Sequence, residues 1–145
     1  MNTTEENKKV LNEIHKGLVM GMESLSVIEP KISSDEFRRL INSQYNEYAD
    51  ILLNVNSNLE EYNVKGEDTS PMQKVMGWSS IQMSTLMDDS DSKISDMLIR
   101  GTTMGIIEGR KMLNNNDNIN KDVKDILYTF VSNLEHDVEK LKEWL

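Results

Sequence analysis

The residues of this sequence that could do chemistry are few. It contains two histidines, His15 and His136, and no cysteine, which excludes disulfide bonds and thiolate metal sites. No clustered serine motif accompanies the histidines, so a nucleophilic triad lacks its parts. We expect His15 at the edge of a buried helix face and His136 in water. Carboxylates and methionine thioethers are therefore the groups left to consider.

Glu108 is the carboxylate with the most suggestive position. It lies between Gly105 and Gly109, near the middle of a predicted inner helix face. A buried carboxylate there would serve as a metal ligand or would carry a proton. Charged side chains are rarely buried without a partner, and Arg110 and Lys111 follow closely in the sequence. We therefore favour a surface ion pair for Glu108.

A methionine stripe is the second feature with chemical potential. Its members follow one another at intervals of four, seven and four residues: Met72, Met76, Met83 and Met87. Thioethers can bind Cu(I), and such a stripe can hold a soft ligand or a partner helix. The spacing is also that of ordinary core packing in a helix, and no cysteine or histidine accompanies it to complete a copper site. We expect core packing.

Composition limits the class of protein. The 145 residues suffice for one domain with its own hydrophobic core, and we assign residues 1–145 to a single domain. The chain is acidic, and its formal net charge of -9 disfavours binding to nucleic acids and to anionic membranes. No stretch approaches the roughly 20 apolar residues of a membrane span, and the N-terminus shows no signal-peptide core. We expect a cytoplasmic protein.

Apolar residues recur with the period of a helix in nearly every segment, and almost none alternates like a strand. The pattern predicts five helices. The first covers residues 4–28, and the second covers residues 33–63 with Ser33 as its N-cap. A shorter third helix covers residues 71–87, and the fourth and fifth cover residues 93–113 and 120–145.

Loop lengths predict how these helices are connected. Short loops join the first helix to the second and the fourth to the fifth, so each pair is antiparallel. About 29 residues separate the second helix from the fourth. The third helix, roughly 25 Å long at about 1.5 Å per residue, is long enough to carry the chain back along the bundle. The second and fourth helices would then be parallel; a five-helix up-and-down bundle is the rival topology.

Glycines occur at four-residue spacing inside two of these helices. Gly17 and Gly21 belong to the first helix, and Gly101, Gly105 and Gly109 belong to the fourth. Each costs about 1 kcal/mol relative to alanine in a helix interior. The sequence therefore predicts close backbone packing of the first helix against the fourth, with an interior that is closed between them.

This layout resembles that of the ferritin-like superfamily, and most of all that of small bacterial ferritin-like domains of unknown function. The resemblance covers nearly the whole chain and rests on three segments: EFRRLINSQYNEYADILL, PMQKVMGWSSIQMSTLMDD and LIRGTTMGIIEGRKML. It implies an all-α, ferritin-like four-helix bundle with an extra helix in the crossover between the second and third long helices.

The resemblance also raises the question of a metal centre. Di-iron members of the family use a carboxylate from each of two helices and a Glu-x-x-His pair from each of two others. Here the second helix offers Gln44 and Glu47, and the fifth offers Asn133 and His136. The departure implies a scaffold without its metal centre and without a cofactor. The alternative is an iron or manganese site with a reduced ligand set of Glu13, Glu47 and Glu108.

Three polar residues of the second helix allow two interpretations. Gln44, Tyr45 and Tyr48 could form a polar pocket that faces Glu108. Tyrosines are also common at the edge of a core, with their hydroxyls in water. We favour the core edge.

Apolar side chains that point away from the predicted core suggest a partner surface. They include Trp78, Ile81, Ile106 and Ile107. Single exposed apolar residues are common, and some become core if the third helix packs over the bundle. Because two-fold symmetry is the commonest, we expect a homodimer, with an unknown protein partner as the other option. The expected function is a non-catalytic binding or self-associating module.

Overall fold

A computed structural model describes residues 3–62 and 88–145 of the chain. These residues form four long helices, which are α1 (Thr3–Ile28), α2 (Asp35–Glu61), α3 (Asp91–Asn115) and α4 (Lys121–Lys142). None of the four is long and apolar enough to cross a membrane. The helices α3 and α4 correspond to the fourth and fifth predicted helices. The predicted third helix lies outside the described residues, together with the methionine stripe, Trp78 and Ile81.

Side-chain caps set the starts of α2 and α3. Ser34, rather than Ser33, caps α2, because its hydroxyl accepts a hydrogen bond from the backbone amide of Phe37. The predicted cap is therefore wrong by one residue. Ser90 caps α3 in the same way through the backbone amide of Lys93. A hydroxyl in these positions satisfies one of the amides that the first helical turn leaves without a partner.

Polar side chains hold one end of the bundle together. Near the start of α1, the Asn7 side-chain amide donates to the hydroxyl of Tyr62, just after α2, at 3.0 Å. Asn7 also accepts a hydrogen bond from the backbone amide of Asn120, just before α4, at 2.9 Å. The start of α1, the end of α2 and the start of α4 therefore lie at the same end.

The opposite end gathers the start of α2, the start of α3 and the end of α4. The Asp91 carboxylate accepts hydrogen bonds from the backbone amides of Ser33 and Ser34, at 2.9 and 3.0 Å. The Ser95 hydroxyl donates to the backbone carbonyl of Leu141. Because α2 and α3 both start here, they are parallel, and their connection is a crossover over the length of α2, about 40 Å. This confirms the predicted single-crossover bundle against the up-and-down alternative.

The hydrophobic core lies between the four helices. On α1 the buried side chains include Val10, Ile14, Leu18 and Leu25. Full burial of such a side chain contributes about 1.5–3 kcal/mol to stability. At the end of the bundle near Ser34, the rings of Phe37 and Trp144 stack with their centroids 4.9 Å apart.

Candidate functional site

A groove lies between α1 and α3. Its volume is about 510 Å³, within the range of sites that hold small molecules in other proteins. Most of its lining is apolar, and it includes the methionines Met20, Met97, Met104 and Met112. Leu18 and Leu25 of α1, Tyr48 of α2, and Phe130 and Leu134 of α4 also line it.

The course of α3 explains why this groove is open. Ile94 and Leu98, near the start of α3, are buried as predicted. In the middle of the helix Gly101 is exposed, although we predict it to face inward. Met104 is likewise 53% exposed. The helix therefore packs into the core at its start, whereas its middle leaves space beside α1.

Two glycines of α3 face α4 at close range. A Cβ atom added to Gly109 would lie 2.5 Å from Cγ2 of Val131, and one added to Gly105 would lie 3.0 Å from Cδ1 of Leu134. Real Cβ atoms essentially never show the first distance, and the second is tighter than nine in ten real Cβ contacts, so these glycines let α3 approach α4. Their close neighbour is α4 and not α1.

The remaining glycines show the same difference from the prediction. A Cβ atom at Gly21 of α1 would lie 3.0 Å from the ring of Tyr48 on α2. Gly17 lines the groove, and at Gly101 nothing described lies within 4 Å of an added Cβ atom. The predicted closure of the first helix against the fourth is therefore wrong. Gly21, Gly105 and Gly109 serve the two antiparallel hairpins, and a four-residue spacing cannot tell which neighbour a glycine faces.

Charged side chains at the rim of the groove are paired with one another. Asp96 of α3 accepts a hydrogen bond from Arg100 at 2.9 Å and lies 3.5 Å from the ammonium of Lys93. The hydrogen bond from Arg100 lowers the pKa of Asp96. This end of the groove thus carries both signs of charge in contact.

Each of the three glutamates of the alternative metal site has a hydrogen-bond or ion-pair partner of its own. Glu13 and Glu108 line the groove, and each lies 3.5 Å from a lysine three residues further along its own helix. Glu108 is 71% exposed, which confirms the predicted surface ion pair. Glu47 accepts a hydrogen bond from Asn133 at 3.1 Å. Within residues 3–62 and 88–145 no group of three histidines, cysteines or carboxylates could hold a metal ion.

A buried polar cluster joins α2 and α4 behind the groove. Asp137 of α4 is only 2% exposed. Burial raises its pKa to about 7; a hydrogen bond from Tyr48 opposes the increase, and the charge and hydrogen bonding of Glu47 add to it. A carboxyl group with this pKa keeps its proton at pH values where exposed aspartates are ionised. Below about pH 7, Asp137 is therefore a neutral, protonated carboxyl group inside the bundle.

Tyr48 connects this cluster to the groove. Its ring lines the groove, whereas its hydroxyl interacts with Asp137 and with the hydroxyl of Thr102 on α3. Burial, followed by the charge of Asp137, raises the pKa of Tyr48 well above its ordinary value. Gln44 is buried as well. The predicted core-edge position, with the hydroxyl in water, is therefore wrong for Tyr48, whose hydroxyl meets Asp137.

Asp137 is the residue that sequence analysis misses. On the last helix Val138 is half-buried, whereas Asp137 is buried. The signal was present in the spacing, because Asp137 follows Leu134 by three residues and precedes Leu141 by four. A polar residue at an apolar position of a helical stripe marks a buried hydrogen-bonded site.

The other predicted residues divide between buried and exposed positions. His15 is 6% exposed, deeper than the predicted edge, and His136 is exposed as predicted. Ile106 is half-buried against the core, whereas Ile107 is 49% exposed. Of the predicted partner surface, Ile107 is thus the clearest exposed member among the described residues.

Comparison with known proteins assigns the fold. No family model and no curated protein matches the sequence. Among solved structures, the chain is similar to the bacterioferritin-related protein from Bacteroides fragilis, described as a dodecameric thioferritin in the bacterial domain. The TM-score is 0.75 at 9% sequence identity, and the match covers 99% of this chain and 86% of that chain. The chain therefore has the all-α, ferritin-like fold that the sequence layout implies.

Proposed function

We propose that this chain is a non-catalytic binding module of ferritin-like fold, with the groove between α1 and α3 as its binding site. One observation carries the proposal, namely an apolar groove of about 510 Å³ whose walls include four methionines. Methionine side chains are flexible and polarisable, so they adapt to ligands of different shape. Concave apolar surfaces of this kind are typical of binding sites. A cytoplasmic location, expected from the sequence, belongs to the same proposal.

The polar groups near the groove support binding over catalysis. Asp137 is the group with a pKa suited to proton transfer, yet it is 2% exposed and lies behind Tyr48. A general acid or base must come within hydrogen-bonding reach of the atom that reacts. At the rim, Asp96 and Glu108 each form an ion pair on their own helix. These groups are better placed to stabilise the bundle than to act on a bound molecule.

An uncharged fluorescent probe, phenyl-naphthylamine, tests the groove. We expect the wild-type protein to bind it with an increase in fluorescence. Gly101→Leu places a side chain in the open space beside α3, and we expect it to weaken probe binding at least tenfold. Thr103→Leu is the matched control, because Thr103 is exposed on α3 and does not line the groove.

The experiment distinguishes a Gly101→Leu variant that is misfolded from one whose groove is blocked. Leucine favours a helix by about 0.8 kcal/mol relative to glycine, so Gly101→Leu should melt no lower than the wild-type protein. Absence of probe binding to the wild-type protein would contradict the proposal. Equal binding by a folded Gly101→Leu variant would place the probe elsewhere and would contradict it too.

Self-association is a second function that a specific observation favours. Met104 and Ile107 on α3 are 53% and 49% exposed, and exposed apolar side chains of this size support a protein contact. The similar structure is described as dodecameric. Our specific proposal for this chain is a two-fold homodimer, the commonest symmetric assembly.

Light scattering at high protein concentration tests self-association. We expect a mass above that of one chain, and a lower mass for Ile107→Glu. Leu53→Glu is the control, because Leu53 is 68% exposed on α2 and the change adds the same charge elsewhere. A wild-type mass of one chain would remove this function from consideration.

An iron or manganese site that uses Glu13, Glu47 and Glu108 is the alternative function. The ion pairs of Glu13 and Glu108 and the hydrogen bond of Glu47 to Asn133 weigh against it. Metal analysis of the purified protein decides between them. About two metal ions per chain, as in a di-metal centre, with loss of metal in Glu108→Gln, would favour the alternative over our proposal.

A further inference from the structure

On the basis of the proposed function, we infer that the ligand of the groove is an uncharged, mainly apolar molecule, such as a long-chain alcohol, and not a charged amphiphile. The carrying observation is the state of the charges around the groove. A ligand with a charged head group needs an opposite charge that is free to meet it, or else its head must stay fully hydrated.

Each charged side chain that lines the groove already has a partner of opposite sign. Asp96 pairs with both Lys93 and Arg100 at one end. At the other end, the pairs are Glu13 with Lys16 and Glu108 with Lys111. A charged head group at either end would meet both signs at once. It would gain little net attraction while losing part of its hydration.

The net charge of the chain does not favour close binding of an anionic or a cationic ligand in the groove. The formal charge of -9 repels an anion over the whole surface. A cation would be attracted at long range, but Asp96 and Glu108 would have to give up their own partners to bind it closely. The groove therefore discriminates against both signs.

Polar groups inside the groove also suit an uncharged ligand. Tyr48 and Thr102 line it, and the Thr102 hydroxyl interacts with that of Tyr48, which in turn interacts with Asp137. These groups interact with one another without a counter-ion. The Thr102 oxygen keeps a lone pair that an alcohol hydroxyl can use. The methionine side chains then surround the apolar part of the molecule.

Displacement of phenyl-naphthylamine by three ligands of equal chain length tests the inference. Decanol is uncharged, decanoate is an anion and decyltrimethylammonium is a cation. For the wild-type protein we expect decanol to displace the probe at a concentration about tenfold lower than either ion, because the ions carry a desolvation penalty that the groove does not offset. Gly101→Leu should lose displaceable probe binding for all three ligands.

Asp96→Asn provides a comparison that does not depend on the intrinsic hydrophobicity of the ligands. This change leaves Lys93 and Arg100 without their shared carboxylate. We expect the affinity for decanoate, relative to the affinity for decanol, to rise at least threefold over that of the wild-type protein. Asp125→Asn is the matched control, because Asp125 pairs with Lys121 on the exposed side of α4 and does not line the groove.

The outcomes separate the inference from the proposed function. Equal displacement by all three ligands, or an unchanged ratio of decanoate to decanol in Asp96→Asn, overturns the inference and leaves the groove as a binding site. No probe binding to the wild-type protein overturns both. If, in addition, Gly101→Leu dissociates a wild-type dimer, the groove is filled by a second copy of the chain and not by a small molecule.

Discussion

Asp137→Asn should make the protein more stable at neutral and alkaline pH. Asp137 is buried, and burial raises its pKa from 3.8 to about 7, with the Glu47 carboxylate adding to the increase against an opposing hydrogen bond from Tyr48. In the unfolded chain the same group ionises near its ordinary pKa. Between these values the folded state holds a proton that the unfolded state releases. The contribution of Asp137 to the free energy of unfolding is therefore fully present at low pH and is lost as the pH rises through about 7.

The magnitude follows from the two pKa values. An increase from 3.8 to about 7 corresponds to a loss of about 4 kcal/mol over the whole titration, at about 1.36 kcal/mol per pKa unit. About 2–3 kcal/mol of this loss falls between pH 5 and pH 8, where the other carboxylates change little. An asparagine amide has nearly the same shape as the protonated carboxyl group and does not titrate. It can still donate a hydrogen bond to Glu47.

Urea unfolding followed by circular dichroism measures this effect. The quantity to compare is the unfolding free energy of Asp137→Asn minus that of the wild-type protein, at several pH values from about 5 to about 8. We expect the difference to rise by about 2–3 kcal/mol across this range. The matched control is Asp125→Asn, since Asp125 is exposed on the same helix and the substitution is chemically the same.

A pH-independent difference for Asp137→Asn would refute the reasoning. It would mean that Asp137 is ionised in the folded state at the same pH as in the unfolded state. A loss of stability at pH 8 would also contradict it, because the negative charge would then be stabilising the contact between α2 and α4.

Three further predictions concern packing and the ends of the bundle, and urea unfolding tests each of them. Gly109→Ala should lower the unfolding free energy by about 1 kcal/mol, because overpacking against Val131 outweighs the better helix propensity; an increase would show that α3 can move. Gly101→Ala should raise it by up to about 1 kcal/mol, since the site is open among the described residues, and a decrease would mean that the space is filled. Asp91→Ala should lower it by about 1–3 kcal/mol through loss of two hydrogen bonds to backbone amides, and Asp91→Asn, which keeps one acceptor oxygen, should lose less; equal values for the two variants would contradict that reason.

Helices, their approximate ends and their antiparallel pairing could be predicted because they depend on local properties. The apolar period of α1, Pro30 after Ile28 and the short loops all act within a few residues. Helix ends were displaced by one or two residues where a distant group intervened. Ser33 is the example, because its amide donates to Asp91 of another helix.

The candidate site could be predicted only in part. Glycine spacing correctly indicates that helices approach closely, yet it assigns Gly105 and Gly109 to the wrong neighbour. A glycine indicates that one face of its helix has little space for a side chain. Which neighbouring helix lies on that face depends on how all the helices are arranged. Asp137 was overlooked for a related reason, since its raised pKa comes first from burial between helices and then from Glu47, which lies on a different helix.

By itself the sequence determined an acidic, all-α chain with a single-crossover layout, because helix periodicity, caps and loop lengths depend on residues that are close in the sequence. Tertiary structure alone decided that Gly105 and Gly109 of α3 face α4, that a groove remains beside α1, and that a carboxyl group of α4 is enclosed beside α2. These results depend on which helix faces meet, and that choice is made by the total burial of all four helices together and by no single segment.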